Sequence, residues 1–477
     1  MTLEMTTTGR INGESYAKEL YYTQQIDHFS PTPPTPSTYQ QRYFVNSTYY
    51  TPSSPNSTIF FYFGNEANVE LYLNATGLMW ENAPSFSALI VFCEHRYYGL
   101  STPFGDDMMD NLAYLTVEQA LADYVSVIGM IKEEYSAPDS TPVIGFGGSY
   151  GGMLATWGRI AYPEVFAGVV AASAPVVTFE GMEPAVEPGE SYAEGVTYDV
   201  TDKAGVEGEC ETNLRAAFEE LKLTEMEPKD IVRGLRLCED GVDMDTIGWD
   251  ATNWVNEALS YMAMGNFPYP SSYILNGNGV LPAFPVREAC KSLERDLRGE
   301  GMEWLEGIRG FADVYYNYTK DKECFELQAP VNEESLIVNT LWNYQYCTQI
   351  FQIFGQSPNS LDMFWDAPWD GDAVALSCLD QYGVPSDRLH FVNVYGNPGD
   401  WKEKTSNIFW SQGEYDPWRG GGVQEDLSET LKATVIGEAA HHLDLFFGRE
   451  GDTEQVKECR RMEVEEIWRW VEEKRSS

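Results

Sequence analysis

Short apolar runs alternate with amphipathic stretches at both ends of the chain. Thr58–Phe63 (TIFFYF) and Leu89–Phe92 (LIVF) are unbroken β-branched or aromatic runs, the pattern of strands buried on both faces. Gln41–Val45 reads as a strand between two Pro/Ser/Thr-rich surface loops, 31–38 and 51–58. Val117–Glu134 places Ala120, Tyr124, Ile128 and Ile131 at helical spacing. Pro142–Phe146 (PVIGF) predicts a further buried strand. A helix is expected from about Gly151 to Tyr162, stopped by Pro163, and Phe166–Ala172 (FAGVVAA) predicts the next strand. Strands alternating with helices predict an α/β fold built on a parallel sheet.

The character changes near Val177. Residues 178–209 are acidic and loop-rich, and from Glu211 to about Gln356 the pattern is mostly helical. Strand signals return after Leu389, at Ser406–Trp410 and Lys432–Ile436. Gln455–Lys474 is an amphipathic helix with Val464, Ile467, Trp468 and Val471 on one face. There are no internal repeats. The expected organisation is an α/β core in two parts, residues 20–177 and 389–477, with residues 178–388 inserted as a mainly helical cap.

Charge narrows the class. The 477 residues carry 31 Lys+Arg against 74 Asp+Glu, a net −43. So acidic a chain is repelled by phosphate backbones and anionic lipid, which argues against nucleic-acid and membrane-surface partners. No apolar run reaches the length of a membrane span. Eight cysteines without a C-x-x-C pair fit a disulfide framework better than a zinc site, and six of them fall between 210 and 378. Sequons at Asn46, Asn56, Asn74 and Asn317 are candidate glycosylation sites. These features describe a secretory-pathway protein, lysosomal, vacuolar or extracellular, whose signal peptide is not seen in this sequence.

Gly147-Gly-Ser149-Tyr-Gly151 matches G-x-S-x-G. In a chain with 41 glycines a bare match is weak, so its flanks decide. A buried strand precedes it and a helix follows, the strand–turn–helix context of a nucleophilic serine. The base must be one of five histidines, His28, His95, His390, His441 and His442. The chain order serine, acid, histidine with histidine after the last strand is met only by the pair 441/442. The acid belongs after the penultimate strand, where Asp416 lies, held extended by Pro417; Glu414 and Asp444 compete. The oxyanion hole is expected from the Tyr150 backbone N–H and the turn Gly64-Asn65-Glu66.

Together these motifs resemble the family of lysosomal Pro-Xaa carboxypeptidase, dipeptidyl peptidase II and thymus-specific serine protease. The resemblance is carried by Asp27–Phe29 (DHF), Gly64–Glu66 (GNE), Glu94–Gly99 (EHRYYG), Gly147–Leu154 (GGSYGGML), Tyr344–Cys347 (YQYC), Asp416–Val423 (DPWRGGGV) and His441–Leu445 (HHLDL). It implies an α/β-hydrolase fold with a large helical cap between nucleophile and acid, and a triad of Ser149, Asp416 and His441, the first of the two histidines. By position Met153 and Trp418 would wall a proline pocket, with Glu66, Asn343, Tyr344 and His442 nearby. The resemblance also implies disulfides Cys210–Cys290, Cys238–Cys324 and Cys347–Cys378, leaving Cys93 and Cys459 over.

Two departures bear on specificity. The dipeptidyl peptidases carry an acid where this chain has Asn343, and the carboxypeptidases an arginine where it has Phe446. The expected function is a serine-type peptidase cleaving after proline, as a Pro-Xaa carboxypeptidase or Xaa-Pro dipeptidyl peptidase, with no cofactor or metal. Its partners would be proline-containing peptides, with a second copy of the chain as a candidate. An ester or lipid hydrolase and a non-catalytic binding protein are the alternatives on the same fold. Because the base must be neutral to act, an acidic optimum would require a lowered histidine pKa or substrate binding that favours acid.

Overall fold

The computed structural model describes residues 5–6, 10–11, 14–183, 190–221, 226–240, 242–274, 277–327, 333–357 and 362–476. Its centre is an eight-stranded sheet: β1 Lys18–Gln25, β2 Thr38–Asn46, β3 Thr58–Phe63, β4 Ala88–Cys93, β5 Val143–Gly148, β6 Gly168–Ala172, β7 Ile408–Gly413 and β8 Leu431–Ile436. The spatial order is β8-β7-β6-β5-β3-β4-β2-β1. The six strands from β8 to β4 run parallel, with Phe60 beside Ile144 and Ile408 beside Val169. Every residue of β3, β4, β5, β6 and β7 is buried, as unbroken apolar runs require.

The sheet is mixed, which corrects the all-parallel expectation. β1 pairs antiparallel with β2, and β2 antiparallel with β4. The physical reason is the link: residues 26–37 join β1 to β2 without a helix, and only antiparallel neighbours close over so short a connection. β1 (KELYYTQQ) escaped the pattern reading because it is an edge strand with mostly exposed or half-exposed positions.

Helix α1 (Val117–Glu134) is capped by Thr116, whose side chain accepts from the Gln119 N–H. With α2 (Tyr150–Ala161) it covers one face of the sheet, around Phe61, Phe63, Tyr124 and Trp157. The described helices of eight or more residues up to Tyr382 that follow are α3 Glu190–Tyr198, α4 Cys210–Glu220, α5 Pro228–Leu235, α6 Ile247–Met264, α7 Met302–Tyr316, α8 Glu333–Thr348 and α9 Gly371–Tyr382. Residues of α3 to α7 enclose a second core that includes Leu214, Ile231, Trp254, Val255 and Trp304. Disulfides join Cys210 to Cys290, Cys238 to Cys324 and Cys347 to Cys378, while Cys93 and Cys459 are free and buried.

The chain then returns to the sheet. His390–Tyr395 is a short helix in which Phe391 and Tyr395 share one face and both stack on Trp157, Phe391 at 4.1 Å. α10 (Glu454–Ser476) closes the opposite face, burying Ile467, Trp470 and Val471. A mixed, mainly parallel sheet flanked by helices, with the G-x-S-x-G turn at the end of β5, is the α/β-hydrolase fold.

Candidate active site

Ser149 sits between the last residue of β5 and the first of α2, at φ 57° and ψ −128°. A non-glycine residue held at positive φ stores roughly 1–3 kcal/mol of strain, retained only when the surroundings enforce it. The neighbours show how. A Cβ on Gly147 would lie 2.1 Å from the Gly151 carbonyl oxygen, and one on Gly151 would lie 2.4 Å from Asn65 Oδ1. The glycines let strand and helix close to contact, and Ser149 N–H is tied to the Ala172 carbonyl at 2.9 Å. The start of α2 at Tyr150 brings the positive end of that helix to the serine.

Asp416 follows β7, and His441 follows β8. Asp416 Oδ1 accepts from the Trp418 backbone N–H at 3.0 Å, and Oδ2 pairs with His441 Nδ1 at 2.8 Å. Both residues are buried. A carboxylate oxygen accepts, so Nδ1 is the donor of this pair and Nε2 is the ring nitrogen left for another partner. The competing acids are occupied elsewhere. Glu414 accepts from Tyr198 and from the Glu438 N–H, and Asp444 accepts from Ser411 Oγ at 2.8 Å. His442 turns the other way: its ring packs on Gly148, its centroid 4.7 Å from that of His441. Burial, reinforced by His441, pushes the His442 pKa well below its usual value.

Gly64 and Asn65 stand against this turn. A Cβ on Gly64 would lie 2.2 Å from the Cys93 carbonyl oxygen. Asn65 Nδ2 donates to the Gly148 carbonyl at 2.7 Å, and its Oδ1 accepts from Tyr62 at 3.2 Å. The loop after β3 is thereby fastened to the serine turn.

The serine carboxypeptidase S28 family model matches residues 24–463. The chain belongs to this family. Lysosomal Pro-X carboxypeptidase of Pongo abelii is 35% identical over 460 residues, covering 95% of this chain and 88% of that one. The Mus musculus protein of the same name is 35% identical over 462 residues, 95% and 89% covered. Thymus-specific serine protease of Mus musculus is 26% identical over 488 residues, 96% and 89% covered. The protein is a serine peptidase.

In this S28 peptidase residues of the segment between β6 and β7 pack around Trp418, two positions from Asp416. Trp418 is half-buried, edge-on to Tyr192 at 4.7 Å and Phe354 at 5.7 Å, and its indole N–H donates to Met264 Sδ at 3.3 Å. Met264 also accepts, through its backbone carbonyl, the His441 N–H at 3.1 Å. Met153 is buried within the sheet core. Tyr344 lies in a separate cluster, edge-on to Tyr382 at 5.4 Å, and Asn343 is exposed on α8.

The residue that α8 turns toward the serine is the next one. Gln345 Nε2 donates to the Tyr150 hydroxyl at 2.9 Å, and Gln345 Oε1 accepts from Tyr98 at 2.5 Å. His95 Nδ1 donates to the Arg96 carbonyl at 2.6 Å, so its Nε2 accepts from Tyr150 at 3.1 Å. Burial lowers the His95 pKa to about 4 and keeps it neutral in that role. Tyr98, His95 and Gln345 lie inside motifs quoted above, yet only contact assigns them this task.

His28 binds Asp123, which also holds Arg96 in a two-pronged pair, and His390 binds Glu118; both are structural. Asn317 is 2% exposed and its Oδ1 accepts from the Lys322 N–H. Asn46, Asn56 and Asn74 are half-exposed. Among the described residues, the donor atoms of buried Asp444, Cys459 and Glu463 lie within 4.8 Å of one another.

Proposed function

We propose that this S28 peptidase is a Pro-Xaa carboxypeptidase acting through Ser149, His441 and Asp416. The observation that carries the reading is the His441 Nδ1–Asp416 Oδ2 hydrogen bond beside a strained serine turn. Ser149 Oγ attacks the carbonyl of the penultimate proline. His441 Nε2 takes the serine proton and returns it to the leaving amine, while Asp416 holds the ring and stabilises the imidazolium. The Tyr150 N–H and the Gly64-Asn65 turn receive the oxyanion. The pyrrolidine ring packs against Trp418, which Tyr192, Phe354 and Met264 surround with aromatic edges and a thioether.

Carboxypeptidase is preferred to dipeptidyl peptidase because relatives of the former name match at 35% identity and because Asn343 is neutral and exposed. In this reading residues 20–177 and 389–477 are the hydrolase core, and 178–388 the cap. Three disulfides fit an oxidising compartment, and the lysosomal relatives support a lysosomal one. The test is product analysis by mass spectrometry on a peptide with second-position, internal and penultimate prolines, using wild type and Ser149→Ala. Release of the last residue alone, abolished in the variant, is expected. Loss of an N-terminal Xaa-Pro pair instead would overturn the carboxypeptidase reading.

A further inference from the structure

The last carbonyls of a helix have no partner within it and must find one outside. The carbonyl of Met264, the final residue of α6, accepts the His441 backbone N–H at 3.1 Å. The next amide, that of His442, donates to Ser173 Oγ at 2.7 Å, so the loop carrying the histidine is held at two consecutive positions. The Met264 side chain makes a second contact. Its Sδ accepts the Trp418 indole N–H at 3.3 Å.

These bonds close a ring of four. His441 Nδ1 reaches Asp416 Oδ2 at 2.8 Å, and Asp416 Oδ1 accepts the Trp418 backbone N–H at 3.0 Å. From Trp418 the ring runs through the indole N–H to Met264 Sδ, and from the Met264 carbonyl back to the His441 N–H. Asp416 and His441 follow strands of the sheet and are buried, whereas Trp418 and Met264 are half-buried and keep exposed surface. Tyr192 and Phe354 meet the indole edge-on, at 61° and 77°. Rotation about χ2 seats an indole two ways round. A hydrogen bond to a fixed acceptor selects one of them, because only one edge of the ring carries the N–H.

We propose that Met264 is a positioning residue that sets specificity for proline. Its thioether seats the Trp418 indole as the wall for the pyrrolidine ring, and its carbonyl keeps His441 in register with that wall. This rests on the post-proline peptidase reading and deepens it. A substrate with proline at the scissile carbonyl packs on the seated indole, and one without the ring gains little from it. A thioether is a weak acceptor, so the effect is on the ranking of substrates rather than on whether the chemistry occurs.

The test compares N-acyl-Ala-Pro-Phe with N-acyl-Ala-Ala-Phe, which release the same residue, in wild type, Met264→Leu, Met264→Gln and Trp418→Phe. Met264→Leu keeps the volume and the backbone carbonyl but removes the acceptor. It should narrow the proline-over-alanine ratio of kcat/KM by about three- to tenfold, the range for one hydrogen bond. Hydrolysis of p-nitrophenyl acetate, which carries no such ring, should be unchanged. Met264→Gln offers an amide oxygen to the same N–H and should recover part of the ratio, which packing alone would not. Trp418→Phe lacks the N–H, so adding Met264→Leu to it should narrow the ratio no further. If Met264→Leu leaves the ratio as in wild type, or slows the ester as much as the proline peptide, the assignment of Met264 is overturned while the post-proline reading stands. Full additivity with Trp418→Phe overturns it equally. If wild type cleaves the proline and alanine peptides alike, the post-proline reading itself falls and the assignment with it. Should Met264→Gln not fold, the pair Met264→Leu and Trp418→Phe decides alone.

Discussion

The side chains of Tyr150 and Gln345 are 195 positions apart in the chain and meet at 2.9 Å, amide to phenol. Tyr150 follows the candidate nucleophile directly, and Gln345 belongs to α8. The contact fixes the residue whose backbone N–H is expected to face the oxyanion. It continues through His95 on one side and Tyr98 on the other. Gln345→Leu and Tyr150→Phe should each lower kcat/KM by about five- to thirtyfold, from a lost hydrogen bond of roughly 1–2 kcal/mol. The double variant should be hardly worse than either single one. Steady-state kinetics in a double-mutant cycle measures the coupling, and full additivity would place the two residues in separate roles.

Asp416→Asn removes the acceptor that holds the His441 tautomer. The expected loss is about 10³- to 10⁴-fold in kcat, with KM and melting temperature little changed. Ser149→Ala should abolish turnover while still binding substrate. Active-site titration with a serine-directed phosphonate reads both variants. Labelling of Ser149→Ala at the wild-type rate would remove Ser149 from the mechanism.

The pair Asp444 and Glu463 predicts a dependence of stability on pH. Glu463 is fully buried and neither carboxyl oxygen has a hydrogen-bond partner among the described residues. Burial first, and Asp444 second, push its pKa well above the usual glutamate value. The folded chain therefore holds this proton more tightly than the unfolded one. The stability it confers is complete below the unfolded value and is lost as pH rises toward the folded one. Glu463→Gln should raise the melting temperature at pH 7 by about 2–4 °C and leave it nearly unchanged at pH 4. Scanning calorimetry at the two pH values checks the sign.

His390 and Glu118 predict a window with two edges. His390 Nε2 lies 2.8 Å from Glu118, and Nδ1 3.1 Å from Asp387. Burial alone would lower the His390 pKa, but the two carboxylates outweigh it and the net shift is upward. Burial alone would raise Glu118, but His390 and Gln349 outweigh it and the net shift is downward. The histidine contribution is complete below 6.5 and is lost as pH rises through the raised value. The glutamate contribution is complete above 4.5 and is lost as pH falls through the lowered one. His390→Gln should therefore cost about 1 kcal/mol near pH 5.5, a value reduced for the partial exposure of Glu118, and less at pH 8. Urea denaturation at both pH values gives the difference.

Local pattern determined much of this protein. The runs at Thr58–Phe63 and Val117–Glu134 became β3 and α1 with those same bounds. Unbroken apolar runs and helical spacing report burial that any compact fold must satisfy. The G-x-S-x-G turn was legible because glycines at a strand–helix junction answer to local close approach, and the order serine, acid, histidine narrowed five histidines to two. Which of the two reaches Asp416, and that Glu414 and Asp444 do not, was decided by tertiary structure. Adjacent side chains diverge, and their partners come from other strands. The same holds for Tyr344-Gln345, where the phase of α8 against the sheet selects the glutamine, and for the antiparallel edge β1, whose polar surface carries no period of its own. A residue's tendency to be buried is written in its neighbours along the chain. The group it meets once buried is set by the topology that folds distant segments together.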